Sequence, residues 1–444
     1  MQCISLPDDV RFIIDTITKA GYEAYAVGGC IRDSLLGKEP DDYDITTSAM
    51  PQVVKSLFRR TVDTGLQHGT VTVMIKEKGY EITTYRIDGE YEDGRHPSEV
   101  KFTRSLEEDL KRRDFTINAM AYNDAAGLVD IFDGIGDLKN GIIRCVGNPV
   151  DRFSEDALRM LRAIRFSAQL GYIIEEETFE AIKELASGIS KVSQERIQIE
   201  LLKTLVSKNP GYLRLAYESG LTKVFLPEFD KMMETQQNHP HHCYSVGEHS
   251  IKGMEVVRPI KVLRLAMLFH DIGKPCVKST DENGIDHFHG HPGISGEMSR
   301  KILHRLKFDN DTIDTVTKLV KNHDVLINRK PASVRRIINR MGEEVFPLLL
   351  EVKEADILSQ SEYKRKEKLE ELSEIRILYQ KILDEKDCLS LKNLAVNGKD
   401  LIELGFPKGP ALGVELGRLL DRVLENPELN DREVLLNLAR EELE

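Results

Sequence analysis

The chain predicts an α+β unit over about its first 147 residues, followed by an all-helical remainder. Three observations carry that reading. Runs that alternate like strands are confined to the N-terminal third. From Ser154 onward the apolar spacing is helical, with Leu158, Leu161, Ile164 and Phe166 interleaved with arginines. Between them, Ala24 to Asp44 reads as strand, glycine pair, short helix, turn and strand.

With 444 residues there is room for two to four domains and a sizeable core. A composition of 41% hydrophobic and 31% charged residues suits a globular protein rather than a disordered one. No apolar run of about 18 residues occurs, and the N-terminus lacks the pattern of a secretory signal. The six cysteines are scattered without a CxxC, which favours reduced thiols and a cytoplasmic location. A net charge of −12 argues against a sequence-blind nucleic-acid binder but leaves room for a local basic patch on RNA. No DNA or membrane partner is expected. Ten of the 12 histidines lie between His239 and His323, and such clustering points to a metal site there.

In order, Leu6–Ala20 has the spacing of an amphipathic helix. Gly28 and Gly29 then follow a strand and precede IRDSLLG, and a glycine turn at a helix start offers N–H groups to a phosphate. Asp42 and Asp44 are two apart, which on a strand puts both carboxylates on one face. Two carboxylates beside such a turn suggest Mg²⁺ held against a nucleoside triphosphate; a solvated acidic turn is the plain alternative. Residues 70–76 and 79–86 read as two strands around a glycine-bearing turn, with Glu81 early in the second. Should that strand lie beside Asp42 and Asp44, Glu81 becomes a third carboxylate. Residues 87–100 read as a loop. A helix is expected from Leu106, with Arg112, Arg113 and Asp114 near its middle and Asn118 close by; arginines suit triphosphate oxygens. Residues 128–147 read as strand, loop and strand, and residues 364–386 as a charged helix.

Asp156 and Arg159 are i and i+3, so the helical reading places them on one face beside Glu155. A carboxylate accepts from an exocyclic amine and a guanidinium donates to a ring nitrogen or carbonyl, an order that fits cytosine and adenine and opposes guanine and uracil. Taken singly, Glu155 and Asp156 could equally do no more than stabilise a helix N-terminus.

GGCIRDSLLGKEPDDYD, YEITTYRID, DGRHPSEV, RRDFTINAMA, DIFDGIGDL, EDALRMLRAIRF and QERIQIELL occur in the order found in class II tRNA nucleotidyltransferases, the CCA-adding enzymes, which the chain resembles over residues 20–205. The resemblance implies a nucleotidyltransferase head with a mixed sheet (1–147), a helical neck and body (148–240) and a helical tail (366–444). It implies attack of a tRNA 3′-hydroxyl on the α-phosphate of CTP or ATP, with pyrophosphate released. By the same resemblance Asp42 and Asp44 hold Mg²⁺, and Glu81 is the third carboxylate. Gly28, Gly29, Arg32 and Asp33 form the phosphate turn, and Arg112, Arg113, Asp114 and Asn118 serve the triphosphate and ribose. Asp156 and Arg159, supported by Glu155 and followed by Arg162 and Arg165, select the nucleotide. The loop at 93–96 matches the one linked to the switch from C to A; it is full length here, which disfavours a C-only enzyme. An enzyme that adds only the final A, a poly(A) polymerase and a nucleotide hydrolase remain as alternatives.

LRLAMLFHDIGKP, residues 263–275, is an apolar helix ending in His270-Asp271. With His249, His291, His323 and Asp356 it resembles the HD-domain metal phosphohydrolases, here over residues 241–365. That resemblance implies one or two divalent ions, a transition metal or Mg²⁺, and phosphatase or cyclic-phosphodiesterase activity. Asp324 competes with Asp356 as the last ligand, and His242, His287 and His289 are expected nearby or on the surface.

Overall fold

The computed structural model describes residues 4–88 and 100–443. The loop matched at 93–96, with His96, lies outside them. The chain divides into two compact units, residues 1–227 and 228–444, each described by itself below.

The first unit opens with helix α1 (Asp8–Lys19), whose Val10, Ile13, Ile14 and Ile17 recur at helical spacing and are all buried. Then come β1 (Ala24–Val27), α2 (Gly29–Leu35), β2 (Asp44–Thr47), α3 (Pro51–Leu57), β3 (Thr61–Gly65), β4 (Thr70–Ile75) and β5 (Lys78–Thr84). A small ribbon pairs β6 (Arg86–Asp88) with β7 (Val100–Phe102). Helix α4 (Leu106–Lys111), β8 (Met120–Asn123), β9 (Gly127–Asp130) and α5 (Gly134–Asn140) complete the α+β part. Seven strands form one sheet in the order β3-β4-β5-β2-β1-β8-β9. Only β2 and β5 run parallel, so the sheet is mixed as expected. Its centre is β2, where Ile45, Thr46 and Thr47 are buried in succession, the mark of a strand covered on both faces.

Helices follow: α6 (Pro149–Glu155), α7 (Leu158–Leu170), α8 (Glu176–Leu185), α9 (Gln194–Leu205), α10 (Leu213–Glu218) and α11 (Thr222–Phe225). Two short strands, β10 (Ile142–Ile143) and β11 (Ile173–Ile174), pair in parallel and tie the end of the sheet domain to α7.

The second unit is helical: α12 (Pro227–Glu234), α13 (Val246–Val256), α14 (Lys261–Phe269), α15 (Lys274–Val277), α16 (His291–Arg305), α17 (Asn310–Asn322), α18 (Pro331–Met341), α19 (Phe346–Ser359), α20 (Arg365–Asp384), α21 (Gly398–Leu404), α22 (Pro410–Glu425) and α23 (Arg432–Arg440). Helix α14 is buried from Leu263 through Phe269. A helix buried on every side belongs at the centre of a bundle, and the one charge in that stretch, Arg264, donates to the Met254 carbonyl. Accordingly α14 packs against α13, α16, α17 and α19. No helix among the described residues is long and apolar enough to cross a membrane.

Four local expectations are corrected. The helix at Leu106 ends at Lys111, so Arg112, Arg113 and Asp114 lie beyond it. Backbone bonds from Thr116 to Arg144 and from Val146 to Asp114 capture that segment into extended pairing. Residues 134–140 form a helix inside the expected loop, because both oxygens of Asp130 take the N–H groups of Gly134 and Ile135. The turn between β4 and β5 falls on Lys76 and Glu77, and Gly79 lies within the strand. Asp156 does not share a helix face with Arg159: its φ of −143° and ψ of 103° break the chain between α6 and α7.

Candidate active sites

In the head, the glycine turn is set by backbone geometry. Gly28 has φ 83°, where side chains are strained, and a Cβ there would stand 3.1 Å from Arg113 Nη1. Its carbonyl accepts from Ile31 and Arg32, so the Gly29 and Cys30 N–H groups lie ahead of the helical ladder. Arg32 donates to Asp33 at 3.0 and 2.9 Å and to Asn118 Oδ1 at 2.7 Å.

Asp44 is the first residue of β2, facing Val27 on β1, and Asp42 precedes the strand rather than lying on it. Ile45 pairs with Ile82, which brings Glu81 alongside Asp44. Asp42, Asp44 and Glu81 are all exposed. Burial of its inner side pushes the Asp44 carboxyl up, Arg113 pulls it down, and the charges of Asp42 and Glu81 push it up again. The three carboxylates do not all approach within 4.8 Å of one another. The cluster is thus open, with hard oxygen donors aimed at solvent, and suits an ion that keeps most of its ligands from substrate and water.

Beneath that open edge lies a buried charged scaffold. Asp109, fully buried, accepts from Thr46 at 2.9 Å and from Arg112 at 3.0 and 2.8 Å, with Arg113 3.6 Å away. Burial would raise the Asp109 carboxyl, but Arg112 and Arg113 hold it below the usual range. Asp114 accepts from the Phe115 N–H, Asn118 and Arg162. Against the cost of burial, Arg162 and Arg159 hold its carboxyl at about 2. Arg162 and Arg165 both reach Glu200, Arg165 at 2.5 Å. The guanidinium carbons of Arg32, Arg162 and Arg165 lie 5.1, 5.3 and 3.9 Å from the Phe166 ring centre. One continuous network therefore joins Asp33, Arg32, Asn118, Asp114, Arg162, Glu200 and Arg165.

Glu155 ends α6 and binds Arg159 at 2.5 Å; Arg159 also donates to the Arg112 carbonyl at 3.0 Å. Asp156 takes the Leu158 N–H at 3.1 Å, so it does cap α7. It also accepts from both terminal nitrogens of Arg196, at 3.3 and 2.6 Å. Asp156 and Arg159 thus stand at one helix junction, each with its own anchor. Asp109, Arg196 and Glu200 escaped the sequence reading, although the last two lie inside QERIQIELL.

The second unit holds a different centre. His249 comes from α13, His270 and Asp271 from the end of α14, His291 from the start of α16, His323 from the end of α17 and Asp356 from α19. Two triads result, His249–His270–Asp271 and Asp271–His291–His323, sharing Asp271. One Asp271 oxygen lies 3.2 Å from His270 Nε2, and the other 3.2 Å from His291 Nε2. Asp356 lies 2.9 Å from His249 Nε2. Asp324 lines the neighbouring cavities, His242 stacks edge-on to His249, and His287 pairs with Asp281.

The tautomers follow from the backbone. The Nδ1 atoms of His249, His270, His291 and His323 each face a carbonyl: Ser359, Met267, Phe288 and Val320, at 3.2, 2.8, 2.8 and 2.7 Å. Donation there leaves every Nε2 as an inward-facing acceptor. Yet the Nε2 atoms meet in pairs at 3.1 and 3.3 Å, so the lone pairs call for a cation between them. The two carboxylates make this corner attractive to any positive charge, a proton on His270 Nε2 or a metal ion in its place: burial pulls His270 down, but Asp271 and Asp356 carry it up to about 10, and both carboxylates are held well below their usual range. The mixed nitrogen and oxygen donor set fits one or two divalent ions. Lys274, also missed in the sequence, pairs with Asp271 at 2.7 Å. It sits one turn beyond Asp271, inside HDIGKP.

Residues 24–144 match the family profile of the poly A polymerase head domain, residues 171–233 that of an RNA- and SrmB-binding site of polymerase A, and residues 279–439 that of tRNA nucleotidyltransferase domain 2. A CCA-adding enzyme of Levilactobacillus brevis is 36% identical over 98% of this chain and 99% of its own. One from Ligilactobacillus salivarius is 53% identical, in an alignment that spans 46% of this chain and 52% of that relative. Among solved structures, the Bacillus stearothermophilus CCA-adding enzyme in complex with CTP is similar over 99% of this chain and 98% of its own, with 30% identity and a TM-score of 0.73.

Proposed function

This chain belongs to the family of CCA-adding tRNA nucleotidyltransferases, and we propose that its head builds or repairs the 3′-terminal CCA of tRNA from CTP and ATP. One observation carries the assignment of residues: the carboxylate edge, the glycine turn and the Asp156–Arg159 junction are held by neighbouring parts of one buried charged scaffold. Asp42 and Asp44, with Glu81 beside them, would hold Mg²⁺. The ion would lower the pKa of the tRNA 3′-hydroxyl and neutralise charge on the departing pyrophosphate. Gly28 and Gly29 bring the backbone close to the triphosphate, and Arg113, between Gly28 and Asp44, offers it positive charge.

Nucleotide choice falls to the helix junction. Asp156 accepts from the exocyclic amine of cytosine or adenine, and Arg159 donates to the adjacent ring nitrogen. Guanine and uracil present the opposite order. Arg196 and Glu155 anchor the two side chains, which supports that reading. Arg162 and Arg165 support the same face through Asp114 and Glu200. The proposed division is a head over 1–147, a neck and body over 148–240, an HD domain over 241–365 and a tail over 366–444.

The test uses tRNA lacking CCA, tRNA ending in CC and intact tRNA, each with the four labelled triphosphates. C and then A are added to the first and A to the second. Addition of A to the CC-ended substrate alone would make the protein an A-adding enzyme. Use of UTP or GTP as readily as CTP would defeat the junction as selector.

The shared Asp271 supports a second activity. His249, His270, His291, His323, Asp271 and Asp356 would hold one or two divalent ions, which would activate water for hydrolysis of a phosphoester. Metal-dependent phosphate release from 2′-phosphates or 2′,3′-cyclic phosphates tests it. Equal hydrolysis by the wild type and a His270→Ala, Asp271→Ala double variant would sink it.

A further inference from the structure

Two cavities flank the HD centre, and they differ in character. One, of about 350 Å³, is polar and is walled by His242, Lys274, Asp286 and His291, among others. The other, of about 230 Å³, is mixed: Leu326, Ile327, Ile357, Leu372 and Ile375 share its wall with charged side chains that include Asp324, Lys353 and Glu371. His323, Asp324, Asp356, Gln360 and Lys368 border both, so both open on the same centre. Lys368 donates to Gln360 at 2.7 Å, which fixes an ammonium at that border.

The second cavity is braced rather than incidental. Lys353 donates to the His323 and Val325 carbonyls at 2.8 and 2.9 Å. It thereby ties the ligand-bearing end of α17 to the wall that carries Leu326 and Ile327. Leu372 and Ile375 of α20, which also line it, are buried, whereas Leu326 is 79% exposed. A wall of five apolar side chains opening on a metal-ligating centre with an ammonium at its border suits a ligand that is apolar at one end and anionic at the other.

We propose that this second cavity, between the α17–α18 loop, α19 and α20, seats the planar base of a nucleoside phosphoester whose phosphate lies at the HD centre. The inference rests on the phosphohydrolase reading and adds to it a place for the organic half of the substrate. A base is flat and mostly apolar on its faces, so it can lie between Leu326 and Ile357 while Lys368 faces the phosphate end. The polar cavity would then take water and the rest of the sugar.

The experiment compares adenosine 2′-monophosphate with methyl ribofuranoside 2-phosphate, which carries the same ester and sugar without a base, on the metal-loaded full chain. The expected preference for the adenosine ester in kcat/KM is about 100-fold, within reach of one buried ring. Ile357→Trp, which fills the cavity, and Leu326→Glu, which charges its exposed wall, each cut that preference by about 10-fold, through KM rather than kcat. An unchanged preference in both variants would overturn the assignment. Calorimetric titration of adenosine 2′-monophosphate separates the two readings. Binding that Ile357→Trp weakens about 10-fold, without any phosphate release by the wild type, supports the cavity and defeats the hydrolase. Phosphate release from both esters at equal rates supports the hydrolase and defeats the cavity.

Discussion

The two candidate centres are built on opposite plans. In the head, Asp42, Asp44 and Glu81 stand in solvent and the charges that steady them are buried. In the second unit the proposed ligands themselves are buried, and His249, His270, Asp271 and His323 are each 3% exposed or less. The difference follows from what each must receive. A transfer site takes a triphosphate and a polynucleotide end, and these bring oxygens that complete the coordination of a hard ion. A centre with four imidazoles and a shared carboxylate closes most of the coordination with protein. The head therefore invests its order in a scaffold one layer down, and the second unit invests it in the proposed ligands themselves.

The largest effect should separate the two. Replacing Asp42 and Asp44 together by Ala lowers nucleotide addition by about 10³-fold or more, while the metal content of the HD centre is unchanged. Asp271→Ala does the reverse: elemental analysis finds the bound divalent ions lost and phosphate release gone, with addition retained. Loss of addition in Asp271→Ala would break the comparison, because the head would then depend on the other centre.

Next is the scaffold. Asp114 is held at about 2, below the unfolded value of about 3.9, so it stabilises the fold above pH 4. That contribution, about 2–3 kcal/mol, is lost as pH falls from 4 towards 2. Asp114→Asn should remove it at neutral pH and flatten the acid limb. Hydrogen exchange across residues 110–125, in wild type and variant at pH 7 and pH 3, reads the difference directly. Protection that falls equally in both would show that Asp114 is not the group responsible.

A smaller effect belongs to the selector. Arg196→Ala removes both side-chain bonds to Asp156 but leaves its Leu158 cap. CTP and ATP should lose about 10-fold of their advantage over UTP and GTP, with less change in the rate for CTP itself. An unchanged nucleotide preference would mean that Asp156 needs no anchor.

How legible these sites were depended on whether local pattern decided the structure. Asp44 and Glu81 could be paired because strands alternate and β2 and β5 lie side by side. The six HD residues could be gathered because histidines at helix ends have few other reasons to cluster. Arg112 to Asp114 looked helical because nothing local stops α4; residues 144–146, over 30 positions away, pull the backbone out. Asp156 likewise breaks the helical run and takes the next turn's N–H itself. Arg196, Glu200 and Lys274 carry no pattern of their own. Their roles come from partners that only the fold supplies.

The smallest expected effect returns to the glycine turn, where the head's exposed edge meets its buried scaffold. Gly28→Ala adds one methyl group at φ 83° and ψ −130°, a positive-φ region that glycine alone adopts readily, at a backbone cost of about 1–3 kcal/mol. The new Cβ would stand 3.1 Å from Arg113 Nη1, and that guanidinium has Asp109 and Asp44 as its charged neighbours. Arg113 must therefore give way by a few tenths of an ångström, along the same line that sets its field at Asp44. Stability falls modestly and KM for CTP and ATP rises together, because the triphosphate is common to both, while the C-to-U preference holds. A variant that changed nucleotide preference instead would tie the turn to the helix junction rather than to the phosphates.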